Sequence, residues 1–174
     1  YKRWDDFYNS GWAAQAVRNR KEYFKNIISN RCSDGKSHRL LNVASGPARD
    51  LYELFEEKEI GNLKIDCVEY DTKAIEYDQE LCGEHLKSIR FERANIFKYD
   101  TENKYDLIWS AGLFDYFNDE DFVKILRNLI SWTTEKYEII IGNFTPENPS
   151  RNFMEILLDW HLYHRDEGHL IELA

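Results

Sequence analysis

Arg39-Leu40-Leu41-Asn42-Val43-Ala44-Ser45-Gly46-Pro47-Ala48-Arg49-Asp50 decides the fold. Its first five residues form a short apolar run with the length of a buried strand. Ala44 to Ala48 are small or turn-forming. From Asp50 to Lys58 the pattern changes to helical spacing, with Leu51, Leu54 and Phe55 on one face. Strand, small-residue loop and amphipathic helix together form the opening unit of an alternating α/β chain. The same alternation continues downstream. Leu63–Glu69 predicts a second strand and Thr72 to about Cys82 a helix. Ser88–Arg93 predicts a third strand, Tyr105–Ser110 a fourth, Glu120–Trp132 a helix and Tyr137–Gly142 a fifth strand. Strands separated by helices form a parallel sheet, so the expected fold class is α/β, a Rossmann-like parallel sheet of about five strands with helices on both faces.

Upstream, Trp12, Ala13, Ala16, Val17, Tyr23, Phe24, Ile27 and Ile28 recur at helical spacing after a break at Ser10-Gly11. Residues 1–36 are therefore read as an N-terminal helical cap, 37–145 as the core and 146–174 as a C-terminal segment, helical over 150–165. The 174 residues suit one domain. A net charge of −9 argues against a nucleic-acid partner, because phosphate binding is driven by lysine and arginine. No run of 18 apolar residues spans a membrane. Three cysteines, Cys32, Cys67 and Cys82, lack metal-site spacing and fit reduced thiols in a cytoplasmic protein. With no initial methionine and no sequence left for a further hairpin, the chain is expected to be an excerpt of a longer one.

Ligands of open parallel sheets bind beyond the carboxyl ends of the strands. Small residues at Ala44, Ser45, Gly46 and Ala48 permit close approach of a ligand to the backbone. The loop lacks the Gly-Lys-Ser/Thr ending of a phosphate loop and the three glycines of a dinucleotide fingerprint. Glu69, 23 residues after Gly46, ends the second strand, where a carboxylate can accept from ribose hydroxyls. After the third strand, Asn95 can bond an adenine edge and Ile96 offers a backbone N–H and an apolar face.

Together these elements resemble the class I S-adenosylmethionine-dependent methyltransferases. Asn42, Ala44, Gly46 and Ala48 stand at the four defining positions of that family's acid-x-Gly-x-Gly-x-Gly turn. Asn replaces the acid, and Ala replaces two glycines, a mild change unless positive φ is required. The resemblance covers residues 39 to about 145. It implies S-adenosylmethionine as cofactor, held by Asn42, Ala44, Ser45, Gly46, Glu69, Tyr70, Asn95, Ile96, Ser110, Ala111 and Gly112. The family's terminal antiparallel hairpin is expected to be missing here, which would leave the apolar fifth strand as an exposed edge.

Ser110–Tyr116, Ile141–Phe144, Asn148–Arg151 and the stretch from Met154 to Tyr163 are similar to a bacterial group of biosynthesis proteins for an extracellular 3-hydroxypalmitic acid methyl ester signal. That similarity implies a small-molecule acceptor such as a fatty-acid carboxylate. Asp115, Tyr116, Asn143 and Arg151 are the acceptor-pocket candidates. Asp115 is read as a base or as a hydrogen-bonding residue. Arg18 and Arg20 are read as contacts to a methionine carboxylate or as a solvated helix face. His161 and His164 have no third metal ligand, and no metal is expected. The alternative function is a non-catalytic domain that binds without turnover. A nicotinamide-dependent oxidoreductase would also carry an acid after its second strand, but it lacks support from the single-glycine loop.

Overall fold

The computed structural model describes residues 2–174, with the side chains of residues 4, 5 and 8 outside the described set. Helices α1 (Lys2–Ser10) and α2 (Trp12–Cys32) precede the sheet. Then follow β1 (His38–Val43), α3 (Arg49–Glu57), β2 (Leu63–Glu69), α4 (Thr72–Cys82), β3 (Ile89–Arg93), β4 (Tyr105–Ser110), α5 (Asp119–Ser131) and β5 (Thr133–Ile141). Helices α6 (Arg151–Leu157) and α7 (Glu167–Leu173) complete the chain. All strand pairs are parallel, in the order β3-β2-β1-β4-β5. No described residue forms an antiparallel strand, so β3 and β5 are the sheet's edges.

The central strand shows why the sheet carries helices on both faces. Leu40 and Leu41 are both fully buried but point to opposite sides, as the two-residue period requires. Leu40 joins Phe24 and Ile28 of α2, Leu51 and Leu54 of α3, and Trp109. Leu41 joins Ile108, Phe114, Phe122, Ile125, Leu129 and Trp132 on the α5 side. A strand buried on both faces reads as a continuous apolar run, which is what 40–43 shows apart from Asn42. Phe24 stacks on Trp109 with ring centroids 4.3 Å apart, which fixes α2 over the sheet.

Two element expectations are corrected. The helix expected over 150–165 ends at Leu157. Asp159 adopts φ 49°, and the Trp160 N–H folds back to the Met154 carbonyl. The following residues run as an irregular strap whose backbone bonds go to tertiary partners: Tyr163 N–H donates to Asp115 O, and Arg165 N–H to Phe144 O. The fifth strand also starts earlier than expected, at Thr133, with a register shift opposite Tyr105–Leu107. Local charge over 133–138 hides that extension from a reading based on hydrophobicity.

Candidate active site

Strand order reverses between β1 and β4, so the loops after these strands diverge and leave a crevice at their carboxyl ends. It is a cavity of about 390 Å³. Its walls are the loop 44–50, residues 111–113 and Tyr116 after β4, and Val17, Arg20 and Lys21 of α2. The crevice thus brings Ala44, Ser45, Gly46, Ala111 and Gly112 together.

The loop's backbone departs from the mild substitution anticipated above. Ala44 has φ 53°, Gly46 φ 53° and Ala48 φ 24°. All three alternating small positions require the left-handed region, and two hold alanine. Each alanine costs on the order of 1 kcal/mol or more there. Gly142 is demanded for another reason: a methyl group on it would collide with the Ala111 carbonyl, so only glycine lets the ends of β4 and β5 approach this closely.

Glu69 reaches back from β2 to this loop. Its Oε2 accepts from Gly46 N–H at 2.9 Å, and its Oε1 accepts from Tyr70 and Asp71 N–H at 2.7 and 2.9 Å. Three of roughly four lone-pair sites are occupied, so one ribose hydroxyl can be taken without rearrangement. A second needs one backbone N–H to be released. Asn95 uses its Oδ1 on Phe97 N–H at 2.9 Å, which leaves its amide NH2 for a ligand. Ile96 is buried within the core on the α5 side, so its backbone N–H is its remaining contribution. The Tyr70 ring is exposed, beneath the Arg93 guanidinium. Tyr70, Asn95 and Ile96 flank the β2–β3 side rather than the cavity itself.

Ser110 is committed to the fold: it is buried, and its Oγ donates to Val43 O at 3.2 Å. Three buried polar atoms around the loop have no partner among the described residues, namely Asn42 Nδ2, Ser45 Oγ and Trp109 Nε1. Unsatisfied buried donors cost about 1–3 kcal/mol each unless a ligand meets them. Their position and chemistry fit a polar cofactor across the loop.

Arg18 and Arg20 separate clearly. Arg18 is exposed and bonds Asn9 O and Gln15. Arg20 is half-buried, donates to the Ala111 carbonyl and has no ion-pair partner among the described residues. Its neighbour Lys21 is paired with Glu53 at 2.6 Å. Burial lowers the Arg20 pKa, an effect opposed by the Asp115 and Asp50 carboxylates.

Asp115 is buried, and its Oδ1 accepts from Phe144 N–H at 2.7 Å. Burial raises its pKa, while that N–H and Arg20 oppose the shift. Asn143 spends both ends of its amide: Nδ2 donates to Tyr163 O at 3.0 Å and Oδ1 accepts from Arg165 at 3.1 Å. Tyr116 is exposed at the cavity rim, and its hydroxyl accepts from Trp160 Nε1 at 2.8 Å. Arg151 lies elsewhere, paired with Glu155 at 2.7 Å on an exposed face of α6. His161 and His164 turn to different partners, Asp159 and Asn148. Among the described residues, no three His, Cys, Asp or Glu side chains converge as metal ligands.

Sequence reasoning missed Arg165 entirely. It is 2% exposed and bonds Phe114 O, Phe117 O, Asn143 Oδ1 and the Asp119 carboxylate, with Phe122 against its guanidinium plane. No local pattern around residue 165 signals this, since every hydrogen-bond partner of the guanidinium lies 20 or more residues away.

A family model described as "Methyltransferase domain" matches residues 34–170. No curated protein matches the sequence. Among solved structures, a "possible exported protein" of Bordetella parapertussis is 18% identical with a TM-score of 0.80, covering 96% of this chain and 62% of that one. Magnesium protoporphyrin IX methyltransferase from Synechocystis, bound to S-adenosylhomocysteine, is 14% identical with a TM-score of 0.68 over 99% of this chain and 80% of that one. The mitomycin 7-O-methyltransferase MmcR is 16% identical with a TM-score of 0.65, covering 79% and 41%. These likenesses show the fold. The chain spans about three fifths of the Bordetella protein's length.

Proposed function

Because the chain belongs to the methyltransferase-domain family, whose model covers residues 34–170, we propose that it holds S-adenosylmethionine across the β1 loop and methylates a small-molecule carboxylate of the fatty-acid type. The observation that carries this reading is the bond between Glu69 and Gly46, which joins the β1 loop to the acid at the end of β2. In the proposal Glu69 takes a ribose hydroxyl, the Asn95 amide takes the adenine edge, and Arg20 meets the methionine carboxylate. The bound cofactor supplies a methyl group on a sulfonium. The protein's remaining work is to position the acceptor and exclude water.

The choice of a carboxylate rests on sequence similarity. A carboxylate acceptor is already deprotonated and needs no general base, unlike an amine or hydroxyl. The similarity to the biosynthesis proteins for 3-hydroxypalmitic acid methyl ester supports a fatty-acid acceptor. The net charge of −9 supports a small molecule over nucleic acid, and the three free cysteines support a cytoplasmic setting. We further take residues 1–36 as a cap and 146–174 as the acceptor-side segment of one domain.

The test is transfer of labelled methyl from S-adenosylmethionine to hexadecanoate and 3-hydroxyhexadecanoate. The expected product is a base-labile ester that carries the label. Tight binding of S-adenosylhomocysteine with no transfer to any carboxylate would favour the non-catalytic alternative.

A further inference from the structure

A second cavity, of about 270 Å³, lies between the α1–α2 elbow and α6. Its walls are mostly apolar and include Phe7, Trp12, Phe153, Met154 and Trp160. Two further cavities, of about 160 and 320 Å³, lie between it and the cofactor cavity and share walls in succession. Val17 and Arg20 line the cofactor cavity and the first of them. Ala16, Asn143 and Phe144 line both. Trp12, Ala13 and Pro149 line the second and the apolar cavity.

The series follows one face of α2, because residues 12, 13, 16, 17 and 20 share that face at helical spacing. Arg20 and Trp12 are eight residues apart, or about 12 Å along the axis. This face is apolar toward Trp12, yet Trp12 stays 72% exposed and Val17 44%. On the opposite side, the bond from Trp160 to Tyr116 joins a wall of the apolar cavity to a wall of the cofactor cavity.

We propose that the cavity under the α1–α2 elbow is a subsite for an unbranched apolar tail of the acceptor, which extends along α2 from a reacting head beside Tyr116. This rests on the methyl-transfer reading for the position of the head, and on the cavity alone for the tail. An acceptor too short to reach Trp12 would leave most of this apolar surface wet.

The test titrates the protein, saturated with S-adenosylhomocysteine, with hexanoate, octanoate, decanoate, dodecanoate and tetradecanoate by calorimetry. Affinity should rise about fourfold per added methylene until the cavity is filled, and then level off. Ala14 also lines the cavity. Ala14→Phe should move the levelling point to a shorter chain, and Phe153→Ala to a longer one, both with unchanged affinity for S-adenosylhomocysteine. Affinity independent of chain length, or a levelling point that neither variant moves, would overturn the subsite. If S-adenosylhomocysteine fails to bind, the methyl-transfer reading falls, and the same series on the protein alone still decides the cavity.

Discussion

Ala44 and Ala48 hold backbone angles that suit glycine, and they do so in the loop where the cofactor is proposed to lie. Ala44→Gly and Ala48→Gly should each stabilise the protein by about 0.5–1 kcal/mol, the relief of strain exceeding glycine's extra unfolded entropy. Urea midpoints would show it, and a loss of stability would mean that the loop is unstrained. Asp78 on α4 carries a second cost. It is fully buried, neither carboxylate oxygen has a partner among the described residues, and burial with the Glu69 and Asp50 carboxylates pushes its pKa up to about 7. A raised folded pKa means that the native state holds the proton more tightly than the unfolded chain does. The stabilisation is therefore complete below the unfolded value of about 4 and lost as pH rises to about 7. Asp78→Asn should flatten the dependence of melting temperature on pH in that window and raise stability at higher pH. An unchanged pH profile would contradict this assignment. The places of Gly46 in the β1 loop and of Glu69 at the end of β2 were legible in the sequence, because strand ends follow from periodicity, but the bond between them was not. The positive φ of the alanines was not legible, since nothing local distinguishes an alanine that packs from one that is strained.

The strap after α6 is where element-scale reasoning from sequence broke down. Trp160, Leu162 and Tyr163 invite a helical reading, but the strap's hydrogen bonds go to the β4 and β5 loops. Arg165 holds that arrangement by joining the turn Phe114–Phe117, Asn143 and Asp119. Removing it strands buried carbonyls that no water reaches easily. Arg165→Met should cost about 3 kcal/mol in denaturant unfolding and loosen the Asp115–Tyr116 turn. A loss below about 1 kcal/mol would place the strap's stability elsewhere. By contrast, the strands and helices between residues 38 and 132 were legible to within a residue or two, because the helices bury one face at helical spacing and the central strands are short apolar runs. Asn118, Asp71 and Asp166 cap α5, α4 and α7 by accepting from N–H groups of the first turn.

At the scale of the whole molecule, the order β3-β2-β1-β4-β5 determines where the crevice lies. It brings the β1 loop, the β4 loop and α2 together around one crevice, which no stretch of sequence contains. Arg20 illustrates the difference. In the sequence it is one of several basic residues on a helix. In the fold it is the cation beside the crevice with no ion-pair partner among the described residues, held against Ala111. Arg20→Ala should weaken S-adenosylhomocysteine binding about tenfold or more, and the loss of its bond to the Ala111 carbonyl should cost about 1 kcal/mol of stability. Equal affinity in this variant would move the methionine carboxylate elsewhere. The central claim is that the loop Ala44–Ala48 and Glu69 form one cofactor site. Calorimetric titration with S-adenosylhomocysteine, in parallel on the protein and on Glu69→Ala, tests it directly. Binding that weakens at least tenfold in the variant, about 1.4 kcal/mol, is the predicted result. Absence of binding, or equal binding by both proteins, would contradict it.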